Sequence, residues 1–355
     1  MRAPGLCPGP RDIWRKMKNA RTYLDWNATA PLRAEARAAV IAALDVAGNP
    51  SSIHAEGRAA RGVVERARAQ VARAVGAEAA DVVFVSGATE AAALVCAGRG
   101  LVCADVEHEA VLAWCRAVLP VDGRGAVSVT EPGRTALQAA NSETGVLQAL
   151  PAGLAAVDAT QAFGKVPFAF DWSGAETAFV SGHKIGGPKG VGAVLLRRGL
   201  EVAARVRGGG QEMGRRAGTE NVAAIAGFGA AAAAAAADLA AGRWSAVAAR
   251  RDALEDALMA GAGDIICIGR DTPRLPNTSL IVCPGWKGET QVMQMDLAGF
   301  AVSAGSACSS GKLRGSGTLA AMGMDPDAAG SAIRVSLGPE TTDEFRRPPR
   351  DLDLA

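Results

Sequence analysis

The sequence predicts an α/β protein with a mostly parallel central sheet and helices on both faces. One observation is that short apolar segments alternate with segments of helical pattern through the first two thirds of the chain, as in parallel sheets with helical crossovers. A second is that the apolar segment 81–85 leads directly into the small-residue turn 86–90 and an alanine-rich helix. In such sheets ligands lie beyond the carboxyl ends of the strands, so polar residues there are the first candidates for a site.

The individual elements follow from apolar runs and from proline and glycine punctuation. Pro31 near the start and Gly48 after the end bracket a first helix that runs to Leu44. A second helix over 58–75 stops at Gly76, and the alanine run 230–237 favours a further helix. The predicted strands cover residues 81–85, 101–104, 127–130, 154–157, 177–180, 280–283 and 332–337, and one more helix covers 244–259. We divide the chain into an extension (1–21), a large domain (22–240) and a smaller α+β domain (241–355).

Composition favours small-molecule chemistry. The chain has 355 residues, of which 49% are hydrophobic, enough for one large domain plus a smaller one. The 38 basic and 36 acidic residues leave a net charge of only +2, so there is no general electrostatic reason to bind nucleic acid or an anionic membrane. The longest low-polarity tract, 222–237, is dominated by small alanines and is too short for a spanning helix. We therefore expect neither nucleic acid nor a membrane as partner.

The cysteines and the N-terminal segment indicate a cytoplasmic protein. Seven widely spaced cysteines without a Cys-x-x-Cys pair argue against a disulfide framework or a structural zinc site, so no metal is expected. The first 21 residues contain prolines and basic residues but no apolar signal core. We expect them to be a disordered extension, and Met17 is a candidate for the true start.

A lysine follows one predicted strand directly. Ser181-Gly182-His183-Lys184 comes after the apolar run 177–180 and before a glycine-rich turn. Desolvation or a neighbouring cation can lower a lysine pKa and free the amine to form a Schiff base with a carbonyl. A surface lysine in a loop gives the same local pattern, so the tetrapeptide by itself leaves both readings open.

Polar residues at other strand ends favour the catalytic reading of the lysine. Asp158 could hold a protonated ring nitrogen, His108 could stack on a ring or exchange protons with it, and Lys184 could bind its aldehyde; this combination suits pyridoxal phosphate. The turn 86–90 could hold a phosphate at a helix N-terminus. Each feature also has a purely structural explanation as a helix cap. Only their joint appearance in this order is informative.

Two residues of the C-terminal third complete the candidate set. Cys308 lies among serines and glycines, as expected of an accessible nucleophile. We interpret five other cysteines as small buried hydrophobes: Cys96, Cys103, Cys115, Cys267 and Cys283. Arg334 interrupts an apolar strand, and a buried arginine favours an anion such as a substrate carboxylate. The polar, glycine-rich loop 208–221 carries further groups that could reach a phosphate.

Taken in order, these motifs resemble those of the cysteine desulfurases, which are fold-type I enzymes of the class V aminotransferase superfamily; the likeness is to the nitrogenase and iron–sulfur-cluster branch. The resemblance runs from about Tyr23 to about Thr342. It rests on Tyr23-Leu24-Asp25, Asn27-Ala28-Thr29, Gly48 to His54, Ser86 to Glu90, Glu107-His108, Glu143-Thr144-Gly145, Asp158 with Gln161, Ser181 to Lys184, Gly208 to Glu212, Arg215 to Asn221, Gly305 to Ser309, and Ile333-Arg334 with Ser336-Leu337-Gly338.

The resemblance implies a role for each matching position. Lys184 would form the Schiff base with pyridoxal 5'-phosphate and act as the base at the substrate Cα, while His108 would stack on the ring and move protons. Cys308 would attack the substrate sulfur, leaving alanine and a Cys308 persulfide. The cofactor site would comprise Ala88, Thr89, His108, Asn141, Asp158 at the ring nitrogen, Gln161 at the ring hydroxyl, Ser181, His183, Lys184 and, from a neighbouring subunit, Thr219. Asn141 and Arg334 would hold the substrate carboxylate.

The resemblance also implies partners, and the chain departs from the pattern in several places. L-cysteine would be the substrate, a second copy would complete a homodimer, and an iron–sulfur scaffold or another sulfur acceptor would receive the persulfide. Trp26 and Ser142 each replace an asparagine of the family, and Pro348-Pro349 stand where the family continues a helix. A selenocysteine lyase or related class V enzyme, and a degenerate cofactor-binding partner protein, are the alternatives.

Overall fold

The computed structural model describes residues 21–261, 264–305 and 315–343. The predicted N-terminal extension up to residue 20, Cys308 with its neighbours, and the atypical segment after residue 343 lie outside the described residues. The statements below concern the described part of the chain.

The central sheet has five strands in the order β2–β8–β7–β6–β5. The strands are β2 (Ala80–Val85), β5 (Ala136–Gln138), β6 (Ala156–Asp158), β7 (Thr177–Ser181) and β8 (Gly192–Arg197). Strands β5, β6 and β7 pair in parallel, and β8 is antiparallel to its neighbours β2 and β7, so β8 alone runs opposite to the other four. The predicted mostly parallel sheet is confirmed.

A short parallel pair extends this region. Strands β3 (Val102–Ala104) and β4 (Arg116–Leu119) pair with each other, and Val102 forms a bridge to Thr135 just before β5. The strand predicted at 127–130 does not form. Val127 makes only an isolated bridge to Val121, and its N–H donates to the Gln148 side chain at 2.9 Å rather than to a neighbouring strand.

Helices cover both faces of the sheet, as predicted. In β2, Val82 and Phe84 face one core while Val83 and Val85 face the other, which is the alternation of a strand buried on both sides. The first core includes residues of α1 (Ala34–Leu44), α2 (Ala55–Ala74), α5 (Phe170–Ser173) and α6 (Val222–Ala240). The second includes residues of α3 (Ala88–Cys96) and α4 (Glu109–Leu112).

Helix α6 is strongly apolar along most of its length. The helix has 19 residues and by length and composition could cross a membrane, so the prediction that this tract is too short was wrong. Yet 56% of that stretch is buried inside the fold, as in the core helix of a globular protein. Its small residues allow close packing: a Cβ added to Gly229 would lie 2.7 Å from the Ala67 Cα of α2. The absence of a membrane partner stays a prediction.

The C-terminal part forms a four-stranded antiparallel sheet in the order β12–β13–β10–β9. Its strands are β9 (Ile266–Ile268), β10 (Thr278–Val282), β12 (Ser303–Ala304) and β13 (Ala332–Ser336). The surrounding helices are α7 (Arg243–Gly261), α8 (Gly288–Leu297), α9 (Gly317–Ala321) and α10 (Pro326–Ala329).

The first described residues pack with this C-terminal part. Strand β1 (Thr22–Tyr23) pairs in parallel with β11 (Phe300–Ala301), and Leu24 joins a core with Ile333 and Val335. The sequence placed these residues in a large domain spanning 22–240, whereas their strand partner lies in the C-terminal segment. The boundary near residue 240 stays a prediction.

Trp26, one of the departures noted above, packs against Gly338. A Cβ added to Gly338 would fall within the indole ring of Trp26. Gly338→Ala is therefore expected to lower the free energy of unfolding by about 3 kcal/mol, measured by urea denaturation. Gly317→Ala is the control, because its Cβ would meet no atom within 4 Å. Equal stability of the two variants would contradict the packing, and Trp26→Asn should recover part of the loss in the Gly338→Ala background.

Candidate active site

A cavity of about 640 Å³ lies at the carboxyl ends of β6 and β7. Its walls come from β6, β7, the N-terminus of α3 and the β13 strand. It is lined by nine of the predicted site residues: Ala88, Thr89, His108, Asp158, Gln161, Ser181, His183, Lys184 and Arg334. A slightly larger cavity of about 670 Å³ lies beside α2 and contains none of them, so chemistry rather than size identifies the site. Residues separated by up to 246 positions in sequence thus meet at one sheet edge, from Ala88 to Arg334.

Three predicted site residues are not in this lining. Cys308 lies outside the described residues. Thr219 lines a separate cavity of about 280 Å³, which shares Ser86 and Gly190 with the first. Asn141 is buried, and its Oδ1 accepts from the backbone N–H groups of Glu143 at 2.9 Å and Thr144 at 2.8 Å.

The side chain of Asn141 is therefore occupied in holding a turn. Its Nδ2 donates to the Val106 carbonyl at 3.0 Å and contacts Gln138 Oε1 at 3.5 Å. Its neighbour Ser142 lines the cavity instead. In this structure Asn141 shapes the wall that Ser142 presents, and its predicted direct contacts with cofactor and substrate stay a prediction.

Lys184 lies in the turn Gly182–Ile185 that follows β7 directly. Its Nζ donates to the backbone carbonyls of Asn27 at 2.7 Å and Ala28 at 2.9 Å. These contacts hold the amine at the cavity wall, and the side chain is only half-buried. The lysine is therefore presented to the cavity by two neutral acceptors.

Asp158 and His108 occupy neighbouring parts of the cavity. Burial raises the pKa of the Asp158 carboxyl, although the Thr160 N–H, 2.8 Å from Oδ1, His108 and Lys184 favour its ionised form. His108 caps α4, since its Nδ1 accepts from the Ala110 N–H at 3.1 Å. The cap orients the ring of a residue that also lines the cavity. The structural role of His108 as a helix cap is therefore compatible with a functional role in the cavity.

The N-terminus of α3 opens into the same cavity. Its N-cap is Gly87, which has no side chain, and the Ser86 N–H donates to Glu90 Oε2 at 2.9 Å. In the described structure no side chain accepts a capping hydrogen bond at this helix N-terminus, so the explanation of the turn as a cap made by Ser86 or Thr89 is wrong. First-turn N–H groups and the hydroxyls of Thr89 and Ser181 are suited to an anionic group.

Two basic residues, His183 and Lys189, border this end. Burial, together with Lys184, Lys189 and Lys165, lowers the pKa of His183 to about 4, so its ring is neutral at neutral pH. Lys189 lines the cavity and is exposed at its mouth. Lys189 was not predicted as a site residue; its position five residues after Lys184 was the available signal.

Arg334 reaches the cavity from β13. Its Nη1 donates to the Ser142 carbonyl at 3.0 Å, and its Nη2 pairs with Asp25 Oδ1 at 2.9 Å. Its Nε is buried and has no hydrogen-bond partner within the described residues. A buried guanidinium donor without a partner suits an anionic ligand.

Two further residues were not predicted as site residues: Asn27, which lines the cavity, and Lys165, which lies behind Gln161. Asn27 is buried, and its backbone carbonyl accepts from both Lys184 Nζ and Gln161 Nε2. Lys165 is buried beside Gln161. Lys165 follows Gln161 by four residues, a spacing that places two side chains on one side of a helical turn. This spacing was the signal in the sequence that could have identified Lys165.

Glu107 is a buried carboxyl next to this site. Its Oε1 accepts from the Gln138 N–H at 2.8 Å, and its Oε2 has no hydrogen-bond partner within the described residues. Burial above all, with Asp158 and Cys115, raises its pKa well above the usual value. Folding therefore keeps this group protonated at pH values where the unfolded chain ionises it.

This raised pKa predicts a pH-dependent stability. For a carboxyl whose folded pKa is raised, the stabilising contribution is complete below the unfolded pKa of about 4.3 and is lost as pH rises through the folded pKa. Glu107→Gln should therefore lose less stability than wild type as pH rises from about 4 to 8, measured by urea denaturation of the cofactor-free protein. Glu109→Gln, on the exposed side of α4, is the control for loss of one carboxyl. Identical slopes for wild type and Glu107→Gln would contradict the prediction.

Comparison with known proteins agrees with the geometry. The model of the family described as Aminotransferase class-V matches residues 22–123 and 130–344. A cysteine desulfurase of Cereibacter sphaeroides is 40% identical over 362 residues, covering 91% of this chain and 92% of that protein. The chain belongs to the class-V aminotransferases, and within them to the cysteine desulfurase family.

Other members of the cysteine desulfurase family show the same likeness along their length. The cysteine desulfurase IscS of Dictyoglomus turgidum is 35% identical over 363 residues and 91% of either chain. The crystal structure of a NifS-like protein from Rickettsia africae superposes with a TM-score of 0.82 at 30% identity, covering 91% of this chain and 95% of that one. The predicted fold class, a fold-type I enzyme, is confirmed.

Enzymes of this family depend on pyridoxal phosphate, and the residues of this chain fit that group. The uncapped N-terminus of α3 suits the phosphate, and the buried Asp158 carboxyl suits a protonated ring nitrogen. No group of three His, Cys, Asp or Glu side chains in the described part of the chain could hold a metal ion. The predicted absence of a metal stays a prediction.

Proposed function

We propose that this chain is a pyridoxal-phosphate-dependent enzyme that converts L-cysteine to L-alanine and keeps the sulfur as a persulfide on Cys308. The observation that carries the proposal is the convergence of Lys184, Asp158, His108 and Arg334 on one cavity. Each has the charge or proton-transfer capacity that one part of the reaction needs. When bound through Lys184, the cofactor supplies an electron sink for the carbanion at the substrate Cα.

We assign each part of the cofactor to a group of lining residues. Thr89, Ser181, His183 and the α3 N-terminus would hold the phosphate, with Ala88 in the same turn. Asp158 would hold the ring nitrogen, because a nearby cation favours the ionised carboxyl that burial otherwise opposes. Gln161 would donate to the ring hydroxyl.

The same cavity provides for substrate binding and proton transfer. Arg334 would bind the substrate carboxylate through its Nε, which has no hydrogen-bond partner among the described residues, and Ser142 lies beside it. Lys184, once its amine is released, would remove the proton from Cα. A free cysteine has a pKa near 8.5, so attack by Cys308 on sulfur benefits from an acid–base such as His108 nearby.

A second copy of the chain would complete the site. Cysteine desulfurases commonly work as dimers with sulfur acceptors, and Thr219 lines the smaller cavity that shares Ser86 and Gly190 with the candidate site. We propose a homodimer in which Thr219 of the partner reaches the phosphate. An iron–sulfur scaffold or another acceptor protein would receive the sulfur, in the cytoplasm.

The experiment supplies purified protein with pyridoxal phosphate, L-cysteine and a thiol reductant, and follows alanine and sulfide. Wild type is expected to form both in equal amounts, and Cys308→Ala is expected to form neither, because the sulfur then has no acceptor thiol. Cys267→Ala, at a half-buried cysteine of β9, is the matched control and should keep wild-type turnover.

The outcomes separate the candidate functions. A wild-type protein that binds the cofactor but forms no alanine contradicts desulfurase activity and favours a binding role. Turnover of selenocysteine that survives in Cys308→Ala would favour a selenocysteine lyase.

A further inference from the structure

Lys165 is a buried lysine directly behind the candidate active site. Its side chain is 2% exposed, and its Nζ lies 2.6 Å from Gln161 Oε1 and 2.9 Å from Asn27 Oδ1. Both partners are uncharged oxygens, and no carboxylate is among the groups that affect its titration within the described residues. A buried ammonium without a counter-ion is costly, so its charge state needs an explanation.

The surroundings of Lys165 favour the uncharged amine. Burial first, then the positive charges of Lys184 and Arg334, lower its pKa well below the usual value. His183 is a further titratable group near it, itself neutral at neutral pH. A neutral amine has two N–H bonds, and Lys165 uses both on the two oxygens above.

Lys165 and the Asn27 carbonyl together determine which end of the Gln161 amide faces the cavity. Because Lys165 Nζ donates, the Gln161 oxygen must point toward it, and the Nε2 end then donates to the Asn27 carbonyl at 3.0 Å. Gln161 lines the cavity, so its second N–H remains for an acceptor there. Without Lys165 the Gln161 oxygen loses its donor, and the Asn27 carbonyl alone holds the amide in this orientation.

Lys165 also supports the segment that positions Lys184. Asn27 Oδ1 accepts from Lys165 and from Asn277 Nδ2 at 3.0 Å, and Asn27 Nδ2 donates to Thr278 Oγ1 at 2.8 Å. The carbonyl of the same Asn27 accepts from Lys184 Nζ. One buried residue thus joins both lysines and the amide in a connected network.

We propose that Lys165 is a positioning residue, which as a neutral donor turns the Gln161 N–H toward the ring hydroxyl of the bound cofactor and keeps a second positive charge away from Lys184. The part of this inference that concerns the cofactor rests on the proposed function. The part that concerns the charge of Lys165 does not.

The charge of Lys165 can be measured on the cofactor-free protein. The chain has seven lysines, so their ¹³Cε signals can be followed by NMR after labelling, and the signal lost in Lys165→Met belongs to Lys165. It is expected to titrate well below the ~10.4 of a free lysine. Titration at or above that value in wild type would overturn the proposal, whether or not the protein binds pyridoxal phosphate.

The effect on the cofactor is measured from the visible absorbance of bound pyridoxal phosphate as pH is varied. Lys165→Met is expected to keep the cofactor and to shift the midpoint of the absorbance change by about half a pH unit or more. The reason is that Lys165 no longer helps to direct the Gln161 N–H at the ring hydroxyl. Lys287→Met, at an exposed lysine of the C-terminal part, is the matched control and should keep the wild-type midpoint.

The absorbance and NMR measurements separate the positioning role of Lys165 from the proposed function. A Lys165→Met midpoint equal to wild type overturns the positioning role while the proposed function stands. A wild-type protein that shows no cofactor absorbance contradicts the proposed function, and the NMR titration then still decides the charge of Lys165. If Lys165→Met does not fold, Lys165→Gln, which keeps a donor, is expected to fold and to keep the midpoint within about half a pH unit of wild type; a larger shift would overturn the positioning role.

Discussion

Lys184→Ala is expected to lower the rate of alanine formation from L-cysteine by at least about 10³-fold while the protein remains folded. Lys184 lines the cavity together with Asp158 and His108, and its Nζ is held there by two backbone carbonyls. The alanine variant has no amine to bind the cofactor covalently or to move the proton at Cα. The side chain is only half-buried, so its removal leaves carbonyls that water can reach.

Three measurements are needed for this prediction: alanine formation, visible absorbance after addition of pyridoxal phosphate, and urea denaturation. Lys287→Ala, at the exposed lysine used above, should match wild type in all three. If Lys184→Ala kept more than a tenth of wild-type turnover, Lys189 would have to be examined as the functional amine, because it lines the same cavity.

Arg274→Met is expected to lower the free energy of unfolding by about 3–5 kcal/mol. Arg274 binds Glu255 of α7 through two contacts of 2.6 Å, and the Ser279 hydroxyl of β10 donates to the same carboxylate at 2.6 Å. The side chains of Arg274 and Glu255 are 3% and 0% exposed. Removal of the arginine alone would leave a carboxylate buried without its counter-ion, which is the costly case for an ion pair.

Urea denaturation with two comparisons tests this ion pair. Arg250→Met removes a more exposed arginine, 3.5 Å from Asp343, and should cost no more than about 1 kcal/mol. The double variant Arg274→Met, Glu255→Leu should be more stable than Arg274→Met, because no unpaired charge remains. A cost of Arg274→Met similar to that of Arg250→Met would show that the buried pair contributes little.

Much of the candidate site was accessible from sequence because its residues follow strands directly. Asp158 ends β6, and Lys184 follows β7 by three residues. Neighbouring parallel strands bring their carboxyl ends to one edge, so a polar residue just beyond each strand is placed there by local chain geometry alone. For the same reason the small-residue turn before α3 could be assigned to this edge.

Residues that act from behind the lining could not be assigned in this way. Asn141 and Ser142 are adjacent in sequence, but only the described contacts show that Asn141 turns inward to bind backbone N–H groups while Ser142 faces the cavity. Lys165 reads as a surface lysine until the packing buries it beside Gln161 and Asn27.

Sequence by itself determined the alternation of strands and helices, the chemistry at the strand ends and the family, because these depend on local patterns and on residue types in a fixed order. Tertiary structure decided which polar groups are buried and which partners they bind. Asn27 shows the reason: its contacts extend to Lys165, Asn277 and Thr278, and separations of 138 to 251 residues leave no periodic trace in the chain. The charge of Lys165 is likewise set by packing, since desolvation is a property of the surroundings and not of the residue.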